Sequence, residues 1–216
     1  MDNESFSYQS SIWNESRLFD DILQFGIAES YFNNTLKVLA LYEWLWLKCN
    51  EAKYLLKLDD DVFLNFPLFA NQILSHEIHQ STLYGYVASG GKVPDKVRSK
   101  QYMPPDIYPY KIYNFSYVFG FAVLSSLHVV EDIHAIGCCL RGIYVDDVYL
   151  EGYLVHILGY KEEFLENLNI DIIFRKGKLK PIRWAYISKY LITPQLEPNE
   201  ILSIYAEMTN KSSNLH

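Results

Sequence analysis

No run of this sequence is long and apolar enough to span a bilayer. The most hydrophobic stretch, Val38 to Leu47, is interrupted by Glu43 and falls far short of the ~20 residues a spanning helix requires. Membrane association is expected only through an anchor that these residues do not carry. Dense blocks of Lys or Arg are missing as well. A net charge of -7 and a pI of 5.3 run against the basic footprint that a phosphate backbone demands, so no nucleic-acid partner is expected. Cysteine is scarce. Cys49, Cys138 and Cys139 fit one disulfide plus a free thiol, or no disulfide at all, and leave the redox compartment open. Met1 is followed by the polar Asp2-Asn3-Glu4-Ser5 where a secretory leader would be basic and then apolar. No internal repeat is present.

What the sequence does contain is enough apolar material for a full core: 216 residues, 50% hydrophobic, 16% aromatic. That amount suits one domain, expected over residues 1–205 with a disordered tail at 206–216. Asn-x-Ser/Thr sequons at Asn3, Asn14, Asn33, Asn114 and Asn210 would be acceptors only in the secretory pathway.

Strand-like and helix-like periods alternate along the chain, which predicts an α/β architecture. Phe19 to Phe25 reads as a short strand. Ser30 suits the cap of a helix to about Cys49, whose apolar residues surround it so fully that burial is expected. Ala52 to Leu58 reads as a central strand running into Asp59-Asp60-Asp61, followed by a helix from Pro67 to His79 with proline in its first turn. Thr82 to Ala88 is strand-like. Ser89 to Tyr113 is a Gly/Pro/Lys-rich loop long enough to carry a binding surface. Tyr117 to Leu124 is expected as a strand, Ser126 to Leu140 as a helix, and Ile143 to Val145 as a short strand ending at Asp146-Asp147. A helix from Val148 to Leu158 and a β-rich tail around Ile172 to Ile187 complete the reading.

The acidic triplet carries the chemistry. It follows the apolar Tyr54-Leu55-Leu56 and precedes Val62-Phe63-Leu64. That places it at the carboxyl end of a strand, where open α/β sheets bind ligands. Crowded carboxylates repel one another unless a cation joins them, and a hard divalent ion completed by substrate phosphate oxygens suits such a place. Taken alone, the triplet also fits a solvated turn capping a helix. An EF-hand is excluded, because Phe63 and Leu64 stand where an oxygen ligand and a glycine are needed. Asp146 or Asp147 likewise could cap the helix at Val148. His156 reads as a packed or surface histidine.

Five blocks occur in order. Asp21-Ile22 leads to Ser30-Tyr31-Phe32-Asn33-Asn34-Thr35-Leu36-Lys37, and Cys49 to Asn65 contains Lys57-Leu58-Asp59-Asp60-Asp61-Val62-Phe63-Leu64-Asn65. Arg98-Ser99-Lys100-Gln101-Tyr102 comes next, then Phe119-Gly120-Phe121-Ala122-Val123-Leu124-Ser125. The last is Tyr144-Val145-Asp146-Asp147-Val148-Tyr149-Leu150-Glu151-Gly152. Together, over about Glu15 to Gly159, they resemble the β-1,3-galactosyltransferase family. The resemblance implies a GT-A-like, Rossmann-like mixed sheet flanked by helices. It also implies inverting transfer of galactose or N-acetylglucosamine from a UDP-sugar to a hydroxyl of a glycoprotein or glycolipid glycan, forming a β-1,3 bond on the lumenal side of the Golgi membrane.

By the same resemblance Asp59 and Asp61 hold Mn²⁺ or Mg²⁺, and Asp60, Lys57, Arg98 and Lys100 contact the donor. Asp147 is the general base, and Asp146 and Gly152 complete the second acidic motif. The chain departs from the pattern in several places. Family domains begin about sixty residues earlier, so one or more first strands are expected to be missing. That would leave Asp20 to Phe25 as an exposed edge and weaken the uridine floor. Phe119 stands at an expected glycine and Ala122 at a tyrosine. After Gly159 only His216 remains as a histidine that could complete the metal shell. A catalytically inactive or truncated relative that binds glycans or proteins is the alternative. An unrelated metal-dependent hydrolase fits the acids but not the ordered blocks.

Overall fold

A computed structural model describes residues 3–140, 142–174 and 190–212. The chain opens with α1 (Asn3–Phe19) and reaches α2 (Asn34–Lys48) through a single 3-10 turn, Tyr31–Asn33. Ser30 caps that turn, its side chain accepting from the backbone N–H of Phe32. Then follow β1 (Tyr54–Leu58), β2 (Phe63–Leu64), α3 (Phe66–Ser75), β3 (Thr82–Gly85) and β4 (Val87–Ser89). After a long connection come β5 (Ser116–Val118), β6 (Ala122–Ser126) and α4 (Leu127–Gly137). A helix interrupted in its middle is next: α5 (Asp146–Val148), a π-helical turn at Tyr149–Tyr153, and α6 (Leu154–Leu158). The described chain closes with β7 (Lys161–Phe164), a 3-10 turn at Leu165–Leu168, β8 (Ile192–Thr193) and α7 (Pro198–Ser212).

The main sheet has the order β1-β6-β3-β7. β6 runs antiparallel to β1 and to β3, and β3 runs parallel to β7. It is therefore the expected mixed α/β sheet. The period-two alternation of its strands divides the core. Leu55, Leu83 and Val123 face α2, α4 and α6 on one side. Leu56, Tyr84, Ala122 and Leu124 face α3 and the Leu165–Leu168 turn on the other. α4 is held at its start by Ser126, whose hydroxyl accepts from Val129 N–H and donates to Gln80 O. Helices thus cover both faces, and the polar groups collect at the sheet's ends.

Several local expectations are corrected. Phe19 to Phe25 is not a strand. α1 runs to Phe19, where Asp20 turns the chain in the left-handed region at φ 53, and an open segment continues to Ser30. No exposed edge strand therefore exists at Asp20 to Phe25. β1 is not central: among the described residues it pairs with β6 alone. α2 is buried only at Thr35, Leu39 and Tyr42, while Leu36, Trp46 and Leu47 are each more than half exposed.

The strand expected over Thr82 to Ala88 breaks at Tyr86, and the one over Tyr117 to Leu124 breaks at Phe119–Phe121. The crossing there is tight: a Cβ on Gly85 would lie 2.1 Å from Val118 Cγ1 and 2.8 Å from Ala122 O. Ile143 to Val145 is an irregular bend. The expected tail from residue 206 is helical through Ser212, and residues 213–216 lie outside the described residues. Of the β-rich stretch to Ile187, Ile172 bridges Ile192 and residues 175–187 lie outside them. Cys49, Cys138 and Cys139 are all free thiols.

Candidate active site

Because β1 leaves the sheet at Leu58, the next backbone group, Asp59 N–H, pairs with Phe121 O (3.1 Å) on the segment entering β6. Val62 N–H then closes back on Asp59 O (3.3 Å), and Asp61 O accepts from Leu196 N–H (2.9 Å). The triplet is thus a fixed turn at the sheet's end, with Asp59 and Asp60 exposed and Asp61 half-buried. Partial desolvation of its carboxyl, on a residue otherwise open to solvent, raises Asp59 above its usual range. Lys57 opposes that shift, and Asp61, Asp146 and Asp60 reinforce it.

The second acidic motif is brought to the same place by the turn Phe119–Gly120–Phe121. A Cβ on Gly120 would sit 3.5 Å from Asp147 Cβ and 3.5 Å from Lys57 Nζ. Asp147 Oδ1 accepts from Val148 N–H at 2.8 Å, and the Gly120 backbone also donates to this carboxylate. Burial pushes its pKa up to about 6, helped by Asp146, against the pull of those donors and of Lys57. A carboxylate so placed is ionised at neutral pH yet basic enough to take a proton.

Lys57, expected as a donor contact, lines the cleft beside Asp59 and is the electrostatic tie between the two motifs. Its Nζ lies 2.9 Å from Glu151 Oε1 and 3.5 Å from Asp146 Oδ2. The Tyr42 hydroxyl donates to Glu151 Oε1 at 3.4 Å. Burial works against the Lys57 charge, but Glu151, Tyr42 and Asp146 outweigh it and hold the ammonium protonated. Glu151 is 1% exposed and sits in the π-helical turn. Burial pushes its carboxyl up to about 7 against the Lys57 charge, and its Oε2 has no hydrogen-bond partner. Sequence reasoning missed Glu151. The available signal was its position five residues after Asp146, on an apolar helix where a lone carboxylate requires a cation.

The remaining expected residues divide. Lys100 Nζ lies 5.1 Å above the Tyr31 ring, and Gln101 hydrogen-bonds the Tyr31 hydroxyl. The loop after β4 therefore folds against the turn that precedes α2. Arg98 is exposed, and among the described residues no contact brings either base to the triplet. Gly152 is a packing residue: a Cβ there would meet Tyr117 Cβ at 2.5 Å and Ser116 O at 3.1 Å, so only glycine lets the helix approach β5. His156 stacks on Phe115 with ring centroids 6.2 Å apart.

Beside the carboxylates a cleft of about 400 Å³ is lined by Phe25, Asn34, Val38, Lys57, Asp59 and Asp146. A larger apolar cleft of about 480 Å³ between α2 and α4 contains neither Asp59 nor Asp147. Among the described residues no three His, Cys, Asp or Glu side chains are arranged as a complete metal shell. None of the described helices is long and apolar enough to cross a membrane.

Residues 2–166 match the family model described as galactosyltransferase. Beta-1,3-galactosyltransferase 1 of Homo sapiens and of Mus musculus are each 31% identical over 203 residues, which is 91% of this chain and 58% of theirs. Beta-1,3-galactosyltransferase 2 of Homo sapiens is 31% identical over 144 residues, 66% of this chain and 34% of its own. The chain thus spans just over half the length of the first of these relatives. With more than half of its residues inside the family match, the chain belongs to the galactosyltransferase family.

Proposed function

We propose that this galactosyltransferase-family chain transfers galactose from a UDP-sugar to a glycan hydroxyl with inversion, forming a β-1,3 bond. The observation that carries the reading is Asp147: a half-buried carboxylate of pKa about 6, beside Gly120 in the segment whose Phe121 O holds the exposed acidic turn after β1. In a single displacement the acceptor oxygen bonds to the anomeric carbon as the bond from that carbon to the UDP oxygen breaks. The hydroxyl proton passes to Asp147 Oδ2, while Oδ1 is held by Val148 N–H. Lys57, anchored by Glu151, keeps Asp147 ionised and fixes Asp146 beside it. The cleft next to Asp59 is the space for the nucleotide diphosphate.

A divalent cation fits the donor set at the triplet. Asp59 and Asp61 are mutually repelling carboxylates at a strand end, and two carboxylates are the usual protein share of an Mg²⁺- or Mn²⁺-diphosphate site, with phosphate and water supplying the rest. Such an ion would supply Lewis-acid stabilisation of the departing diphosphate. Asp60 is left for the ribose or a backbone amide, and Arg98 and Lys100 for the donor rim. The acceptor is a glycan on a glycoprotein or glycolipid, in the Golgi lumen. Residues 1–205 form the catalytic domain in this reading.

The test is transfer from UDP-galactose to a β-N-acetylglucosaminide in the presence of Mn²⁺, with the product linkage read by NMR. Asp147→Asn should lower turnover by ~10²–10⁴, the usual size of a lost general base, while UDP affinity stays nearly unchanged. Equal activity in the two proteins would remove Asp147 from the reaction. If Asp146→Asn has this effect instead, the base is the neighbouring carboxylate.

A further inference from the structure

Four chain segments meet at the end of the sheet that carries the acidic turn. β1 leaves it into Asp59, β3 leaves it into Tyr86, β7 ends there at Phe164, and β6 is entered there from Phe121. Phe119 N–H donates to Tyr86 O at 3.0 Å, joining two of these segments. Around Tyr86 stand four other rings: Phe119 at 5.6 Å, Phe121 at 6.4 Å, Phe164 at 6.1 Å and Phe174 at 5.0 Å between centroids. Phe121 and Phe174 also meet edge-to-face at 5.7 Å. These rings are not sunk in the core: Tyr86, Phe164 and Phe174 are 37%, 43% and 40% exposed.

Edge-to-face packing fixes the rings, so the surface is rigid as well as apolar, which lowers the ordering cost of binding. An exposed aromatic patch of this kind marks a ligand or partner site. Its place selects between them. Phe119 joins it to Gly120, whose backbone donates to Asp147 and on which a Cβ would lie 3.5 Å from Lys57 Nζ. The cleft suited to the nucleotide is lined by Asp59 and by α2 residues Asn34, Lys37, Val38 and Leu41, and by none of these rings.

We infer that the Tyr86-centred aromatic surface is the acceptor subsite, on which the terminal pyranose of the glycan rests one C–H-rich face while a ring hydroxyl reaches Asp147. The negative faces of aromatic rings attract the polarised C–H groups of a sugar. A galactoside or glucoside ring is of the size that two or three such rings cover. Strand spacing of ~4.8 Å puts the β3 end about two strands, ~10 Å, from the β1 end, a separation that one or two sugar units bridge. This inference rests on the transferase reading, from which it takes the direction of attack.

The test is saturation-transfer NMR on the full chain with methyl β-D-galactopyranoside and methyl β-D-glucopyranoside, irradiating the aromatic protons, with and without UDP. Transfer to sugar ring protons that persists when UDP is added supports the subsite. Tyr86→Leu should raise the apparent Kd about tenfold and Phe164→Ser by about threefold, the scale of one aromatic contact. Thermal melts of both variants check the fold, and leucine keeps the bulk at Tyr86 while removing the ring.

No saccharide signal from the wild type, or unchanged Kd values in both folded variants, would overturn the subsite. Uridine proton signals that fall in the variants while UDP displaces the sugar would give the surface to the donor and overturn it as well. So would a dimer that both variants convert to monomer. Donor hydrolysis in the absence of acceptor separates the two readings. If hydrolysis is absent and saccharide binding intact, the transferase reading fails and the saccharide surface stands.

Discussion

Replacing Lys57 by methionine would strand the Glu151 carboxylate, which is 1% exposed and has one oxygen without any partner even in the intact protein. In the wild type the 2.9 Å contact to Lys57 Nζ offsets that burial. Removing one member of a buried pair costs ~3–5 kcal/mol, because the other charge loses its compensation. For a domain of this size each kcal/mol is worth about 2–4 °C, so the melting temperature should fall by ~6–20 °C. Glu151→Gln should cost less, because Lys57 keeps Asp146 at 3.5 Å as a counter-ion.

The double variant Lys57→Met with Glu151→Leu replaces the pair by apolar groups of similar length. It should recover to within ~1 kcal/mol of the wild type, as buried pairs replaced whole commonly do. Urea unfolding of the wild type, Lys57→Met, Glu151→Leu and the double variant gives the coupling directly. The reasoning would be refuted by a Lys57→Met protein within ~1 kcal/mol of the wild type, or by a double variant no more stable than the sum of its parts.

Activity should rise with pH through about 6, the pKa to which burial and Asp146 push Asp147, because the base must be ionised; a flat kcat/KM profile between pH 5 and pH 7, a window of about one unit on either side, would contradict this. Since Asp146 is the second cause of that shift, Asp146→Asn should move the acidic limb to lower pH. The same raised carboxyls set a stability trend. Asp147 and Glu151, at about 6 and about 7 in the fold against 3.8 and 4.5 ordinarily, bind more protons folded than unfolded. Their contribution is therefore fully present below about pH 4 and is lost as pH rises through about 6 to 7, measurable as a falling urea midpoint. Asp61→Ala should abolish Mn²⁺ binding in the presence of UDP by calorimetry and leave the metal-free melting temperature level or higher, since it relieves repulsion with Asp59. Gly152→Ala drives a methyl to 2.5 Å from Tyr117 Cβ and should cost ~1–3 kcal/mol in unfolding free energy.

The parts of the site that were legible in the sequence are those whose signal is local. An apolar strand that runs into three aspartates places them at a sheet end whatever surrounds the strand. Ser30 before an apolar run signals a helical start, and it caps the 3-10 turn from which α2 follows at Asn34. Local signals failed where the chain was free to choose. Phe19 to Phe25 has a strand's composition, but the helix before it extends to Phe19 and Asp20 takes a left-handed turn that no period reveals. Ile143 to Val145 is too short for composition to separate a strand from a bend, and the breaks at Tyr86 and at Phe119–Phe121 follow from where two strand pairs cross.

The tie between the acidic motifs was out of reach for a different reason. Lys57 and Glu151 lie far apart in the chain, and neither has a neighbour in sequence that requires the other. Only the fold, which packs the π-helical turn against β5, brings them to 2.9 Å. Burial then makes that contact obligatory, since a carboxylate at 1% exposure without a cation would take up a proton or unfold the segment. A single residue, Leu58, separates Lys57 from the triplet, and Glu151 follows Asp147 by one helical turn. A shift of either side chain is therefore carried to both candidate reaction centres at once. In the proposed reaction the pair would set the separation between the diphosphate end and the acceptor end of the site, and group transfer is sensitive to misplacement of about 1 Å.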